Sequence, residues 1–100
     1  MLVHSVYFWL QPGTEAAARA HFRAEVEKLS AVRTIERIHV GVPAAIPERS
    51  VTDRSFDVAL TIFFKDGAAH DAYQVDPIHL AFVERNRAAW ARVQVYDSEG

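Results

Sequence analysis

The 100-residue sequence contains no cysteine. This excludes disulfide cross-links, a thiol nucleophile and thiolate-bound metal, and leaves packing to hold the fold. Glycine is scarce, with four residues and no G-x-G arrangement, so no phosphate-cradling loop is present. Positive charge is not in excess: 11 Lys and Arg stand against 13 Asp and Glu, for a net charge of −2. A nucleic-acid partner is therefore not expected. No apolar run approaches a membrane span, and residues 2–10 lack the basic flank and cleavage site of a secretory leader. No membrane partner is expected, and a cytoplasmic location is the default. With no charge block, repeat or low-complexity tract, residues 1–100 are expected to form a single domain.

What is present is a chain that is 50% hydrophobic and 24% charged. That apolar content is generous for one small domain and points to surface covered by a second subunit. Leu2–Leu10 is β-branched and aromatic, ends at the turn signal Gln11-Pro12-Gly13, and is apolar on both faces. His4, Val6 and Phe8 share one face; Val3, Tyr7 and Trp9 lie on the other. Thr14 reads as the N-cap of an amphipathic helix carrying Ala18, Phe22, Val26 and Leu29 to about Ser30. Residues 33–42 read as a second strand, with Ile35, Arg37 and His39 alternating against Glu36, Ile38 and Val40. Residues 43–54 carry two prolines and form a loop, either a binding lid or a plain surface excursion.

The run from Ser55 to Lys65 is the most β-like. Asp57, Ala59, Thr61 and Phe63 are read as the face toward a pocket. Val58, Leu60, Ile62 and Phe64, free of polar groups, are read as a face toward another subunit. A short helix over residues 68–74, a longer one from Pro77 to about Trp90, and a last strand around Val93–Val95 with a polar tail from Asp97 complete the chain. The order β-α-β-β-α-β, its second helix broken at Asp76-Pro77, is the ferredoxin-like α+β arrangement.

The candidate site lies at that break. Asp76 is an N-cap and Pro77 the first helical residue, which puts His79 in the first turn, near Tyr73 at the end of the preceding segment. A histidine there is held toward its neutral form by the positive helix end. It suits either general acid–base work, with the phenol donating to a developing enolate oxygen, or a structural role, bonding backbone or a buried Asp57. His4 points into an apolar face, and Asp57 is placed either to orient His4 or His79 or to cap a turn. The five histidines, at 4, 21, 39, 70 and 79, show no H-x-H, H-x-x-x-H or H-E-x-x-H spacing. No metal and no cofactor are expected, and His21 and His70 read as solvated helix positions.

Four features together carry a resemblance: His4-x-Val6-x-Phe8-x-Leu10, Phe56-Asp57 opening a strand that ends in Phe63-Phe64, Tyr73-x-x-x-Pro77-x-His79, and Val95-Tyr96-Asp97. The chain resembles the stress-responsive dimeric α+β barrel (Dabb) family over nearly its whole length. The resemblance implies a homodimer of ferredoxin-like subunits packed sheet to sheet. Val3, Tyr7, Trp9, Val58, Leu60, Ile62 and Phe64 would form the interface, and each subunit would hold a pocket for a small-molecule ligand. Some family members are stress proteins. Others cyclise polyketides without a cofactor, with catalytic histidine and tyrosine matching His79 and Tyr73 and a further pocket histidine matching His4. The chain differs from the cyclases at Asp57, where they carry histidine. It differs from the common family motif at Asp76, where histidine precedes the proline.

Overall fold

Alternating apolar residues and the Gln11–Gly13 turn produce a central strand, β1 (Leu2–Leu10), in the computed structural model, which describes residues 1–100. It is followed by α1 (Ala16–Glu27), β2 (Ile35–Gly41), β3 (Val58–Phe64), α2 (Gly67–Val75), α3 (Pro77–Asn86) and β4 (Trp90–Glu99). The strands form one antiparallel sheet in the order β2-β3-β1-β4. The expected ferredoxin-like α+β fold is observed, with the second helix split into α2 and α3. No helix is long and apolar enough to cross a membrane.

The register of β1 against β3 corrects one expectation. His4 pairs with Ile62, Val6 with Leu60 and Phe8 with Val58. Directly paired residues point to the same face of an antiparallel sheet. Val58, Leu60, Ile62 and Phe64 therefore lie on the face that carries His4, and they are buried under the chain's own helices. They are not a subunit interface. The unbroken apolar set is the core set because the helices need a wholly apolar floor, while the opposite face tolerates Thr61 and Ser5. Val3, Tyr7 and Trp9 lie on that opposite face as expected, paired with Phe63, Ala59 and residues of β4. A bulge between Ile35 and Arg37 turns Ile35 inward with Ile38 and Val40, correcting the simple alternation in β2. The smallest dimension of the molecule is 17 Å, which is one sheet and one helix layer, since a helix with side chains is about 10–12 Å across. No helix covers the outer sheet face, and only the segment before β3 reaches it, with the Phe56 ring against Tyr7 and the Ser55 hydroxyl accepting from Trp9 Nε1 at 3.0 Å.

The helices reach the sheet through Phe22, Val26, Leu29 and Phe82, whose rings and branches meet Phe8 and Leu60 in one core. The capping residue of α1 falls one position later than expected. Glu15 holds the N-cap position without a side-chain bond, while the Thr14 hydroxyl donates to the Gln11 carbonyl and closes the turn. Ala18 is exposed, and the inward position three residues past Phe22 is Glu25. This carboxylate is buried yet fully partnered. Lys28 Nζ donates to Oε2 at 2.5 Å, and Arg85 Nε and Asn86 Nδ2 donate to Oε1 at 2.9 and 3.2 Å. Asn86 also donates to the Phe82 carbonyl, so the network clamps α1 to the end of α3.

Hydrogen bonds from Lys28, then Arg85 and Asn86, hold the Glu25 carboxyl down to about 2. An unfolded chain titrates a glutamate at about 4.3, so the folded chain binds this proton less readily. The clamp's stabilisation is complete above that range and is lost as pH falls through it toward about 2. Urea unfolding followed across the acid range should show this decline, and Glu25→Gln should flatten it. A variant with the same acid decline would assign the loss to other carboxylates.

Candidate functional site

The Tyr73–His79 segment folds as its residues dictate. Asp66 caps α2 by accepting from the Ala69 N–H at 2.9 Å. Asp76 ends α2 with its N–H on the Tyr73 carbonyl and caps α3 by accepting from the Ile78 N–H at 2.8 Å. The β-region backbone at Asp76, φ −64° and ψ 135°, is what a following proline favours. The break turns the chain sharply enough for the His79 ring to fold back onto α2, where Nδ1 lies 3.1 Å from the Gln74 carbonyl oxygen. A carbonyl only accepts, so Nδ1 carries the proton and Nε2 is the basic nitrogen of the neutral ring. Burial lowers the His79 pKa from its ordinary value, against an opposing effect of the Gln74 bond. Desolvation rather than the helix end is the main cause. Tyr73, 1% exposed, stacks at a tilt with its ring centroid 4.5 Å from that of His79. Burial raises its phenol well above the ordinary value, which keeps it a hydrogen-bond donor.

The sheet supplies the facing group. His4 is 4% exposed at the middle of the sheet, its ring centroid 5.9 Å from that of Tyr73. Its Nδ1 lies 2.5 Å from Asp97 Oδ1 on the paired position of β4, so the carboxylate fixes the ring and again leaves Nε2 as the lone-pair nitrogen. Burial lowers the His4 pKa, and Asp97 offsets part of that shift. His4, Tyr73 and His79 line one cavity of about 180 Å³ with Phe82, Val93 and Val95. Val93 and Val95 stay about two-fifths exposed because β4 runs past the edge of the helix layer, and they form the mouth.

Three of the four candidate residues therefore meet, and Asp57 does not join them. Its Oδ2 accepts from the Leu10 N–H at 2.7 Å, Oδ1 accepts from Arg19, and its own N–H donates to the Phe8 carbonyl. It ties the end of β1 to α1, because the chain is still turning at 57 and β3 begins one residue later. The carboxylate that orients His4 is Asp97. The sequence reading placed Asp97 in a polar tail, but β4 continues to Glu99, and the period-two step Val93, Val95, Asp97 was the available signal. His70 is a second omission. It is not solvated: its side chain is 17% exposed and its ring centroid lies 5.1 Å from that of His4. Its position three residues before Tyr73 on α2 puts both on one helix face. Of residues 43–54, Pro43 alone lines a separate cleft beside α1, where Val42, Pro43 and Phe56 face Arg19 and Arg23. That cleft shares no lining residue with the His79 cavity.

A ferredoxin-like fold with one sheet face free of helices and a histidine–tyrosine cavity under the other defines the class of protein. Residues 2–99 match the profile of the stress responsive A/B barrel domain (Dabb), and the chain belongs to that family. A comparison with curated protein sequences finds no match. Among solved structures, the chain is similar to a Dabb family protein with a ferredoxin-like fold from Mesorhizobium loti, at 22% identity and TM-score 0.79 over 99% of this chain and 95% of that one. It is similar to a dimeric ferredoxin-like protein from Thermobifida fusca, at 15% identity and TM-score 0.79 over 99% and 90% of the two chains. A hydroxynitrile lyase from Passiflora edulis matches at 17% identity and TM-score 0.78 over 97% and 90%. At these identities the likeness shows the shared fold.

Proposed function

We propose that the cavity binds a small, largely apolar molecule bearing a carbonyl or its adduct, and that His79 and Tyr73 move a proton at it. The observation that carries this reading is the facing pair itself. The imidazole has its basic Nε2 free, and the buried phenol stays protonated beside it. His79 Nε2 takes the proton from a C–H or O–H next to the carbonyl carbon. Tyr73 donates a hydrogen bond to the oxygen on which charge develops, and the imidazolium returns the proton to the product. The protein's own side chains supply both acid and base. His4, fixed by Asp97, presents a second nitrogen toward the substrate.

Size narrows the substrate. About 180 Å³ is below the 300–1,000 Å³ usual for drug-sized ligands, so a single ring or short chain fits and a long polyketide does not. The similarity to a hydroxynitrile lyase agrees with small-molecule carbonyl chemistry on this fold. A second reading, a non-catalytic ligand-binding protein, is favoured by the His79–Gln74 bond, which also splices α2 to α3. The two readings separate by experiment. With a turned-over substrate from a screen of small carbonyl compounds and their adducts, His79→Ala should lower kcat by about 10²–10⁴-fold. Tyr73→Phe should lower it less, and neither should shift the thermal midpoint much. Full activity in His79→Ala would refute the catalytic reading, while a large loss of stability with no turnover in any variant would favour the binding one.

We also infer that two subunits pair through the helix-free outer sheet face. Support comes from the half-buried Tyr7, Trp9 and Phe63 and the exposed Tyr96 on that face. Arg92 lies over the Trp9 ring at 4.2 Å, and structural neighbours are described as dimeric. Sedimentation should find a dimer, and Trp9→Glu should give a folded monomer. Ile62→Asp, which buries an unpaired charge in the intrachain core at a cost of several kcal/mol, should fail to fold instead. A monomeric parent at micromolar concentration would refute the pairing.

A further inference from the structure

The acid–base reading uses His79, Tyr73, His4 and Asp97, and leaves His70 without a role. His70 nevertheless stands against His4 and Asp97, and one ligating atom from each of the three residues lies within 4.8 Å of the others. We infer that His4, His70 and Asp97 bind a divalent transition-metal ion, of which zinc is the best fit. The inference goes beyond the acid–base reading and stands or falls separately from it.

The geometry is close to what zinc needs. Nitrogen and oxygen ligands about 2.0–2.2 Å from a tetrahedral ion lie about 3.3 Å from one another. Gathering the three groups therefore takes only small side-chain rotations. His4 is fixed on the central strand, so the adjusting partners are the other two. His70 lies on α2, and Asp97 on the edge strand has a side chain 42% exposed, through which solvent and ion reach the site. At present His4 Nδ1 and Asp97 Oδ1 are 2.5 Å apart, joined by a proton, and the ion would replace that proton and spread the two atoms. Outer partners are in place. Asp71 Oδ1 lies 3.2 Å from His70 Nδ1, and Gln74 Nε2 lies 3.2 Å from His70 Nε2. To bind the ion one ring nitrogen gives up its partner, and the contact on the other nitrogen then orients the ring as outer partners orient metal-bound histidines. Two imidazoles and one carboxylate select zinc, cobalt(II) or nickel(II) over magnesium and calcium, which take oxygen ligands. Three protein ligands leave a fourth position for water or a small anion. The sequence hides the site because its ligands come from β1, α2 and β4, with no local spacing to betray it.

The test is a titration of untagged, chelator-treated protein with cobalt(II), read by its visible d–d absorption, and with zinc, read by calorimetry. One equivalent per chain should bind at micromolar affinity or tighter, with the intense colour of tetrahedral cobalt. His70→Ala and Asp97→Asn should each weaken binding by about tenfold or more, while His21→Ala and His39→Ala should leave it unchanged. His70→Gln, which keeps a polar side chain of similar reach, serves if His70→Ala does not give a native circular dichroism spectrum. No binding by the parent protein, or equal binding by a folded His70 variant, would overturn the assignment. Because the readout is metal affinity, absence of turnover does not count against it.

Discussion

The structure depends on the double pairing of β1. This strand lies between β3 and β4, and its register fixes which side chains share a face. One step of slip would send His4, Val6 and Phe8 to the outer face and Val3, Tyr7 and Trp9 under the helices. The register is held because the apolar set on β3 matches the apolar set on β1 only one way, and Asp57 locks the end of the strand through the Leu10 N–H. The same pairing sets His4 opposite Asp97. Core, outer face and site are consequences of one alignment.

Within that alignment, burial gives the site its chemistry. A histidine and a tyrosine removed from water shift in opposite directions: the imidazole toward neutral base, the phenol toward persistent acid. Groups whose environments push them apart in this way are suited to divide the work of a proton transfer. The break at Asp76 makes the arrangement possible, since an unbroken helix would carry His79 past α2 instead of back onto Gln74. The Glu25 clamp secures the same region from the other side by tying α3 to α1. Stability and site therefore share elements: α3 carries both His79 and the clamp residues Arg85 and Asn86.

Local signals in the sequence carried the element order, the Asp76-Pro77 helix start and the closeness of Tyr73 to His79, because capping, alternation and turn chemistry act over a few residues. That His4 joins them was implied by the family resemblance. What escaped needed long-range register. The face of β3 could not be assigned from its own alternation, since both of its faces were plausible until Ile62 was known to lie opposite His4. Asp57 looked like a site carboxylate for the same reason. Asp97 was hidden in a polar ending that becomes strand only by pairing with β1. No local pattern marks Glu25 as buried, because two of its partners, Arg85 and Asn86, lie about 60 residues further along the chain. His70 was read as solvated because α2 meets His4 only in the folded sheet.

The central claim is that the register of β1 brings His4 into one buried cluster with Tyr73 and His79, with Asp97 fixing its tautomer. Heteronuclear NMR of the histidine side chains tests it most directly. The account predicts that in chelator-treated, metal-free protein His4 and His79 are both neutral Nδ1–H tautomers near neutral pH, with a strongly deshielded His4 Nδ1 proton and nuclear Overhauser contacts from both rings to Tyr73. A freely titrating His4 with no contact to Tyr73 would contradict it.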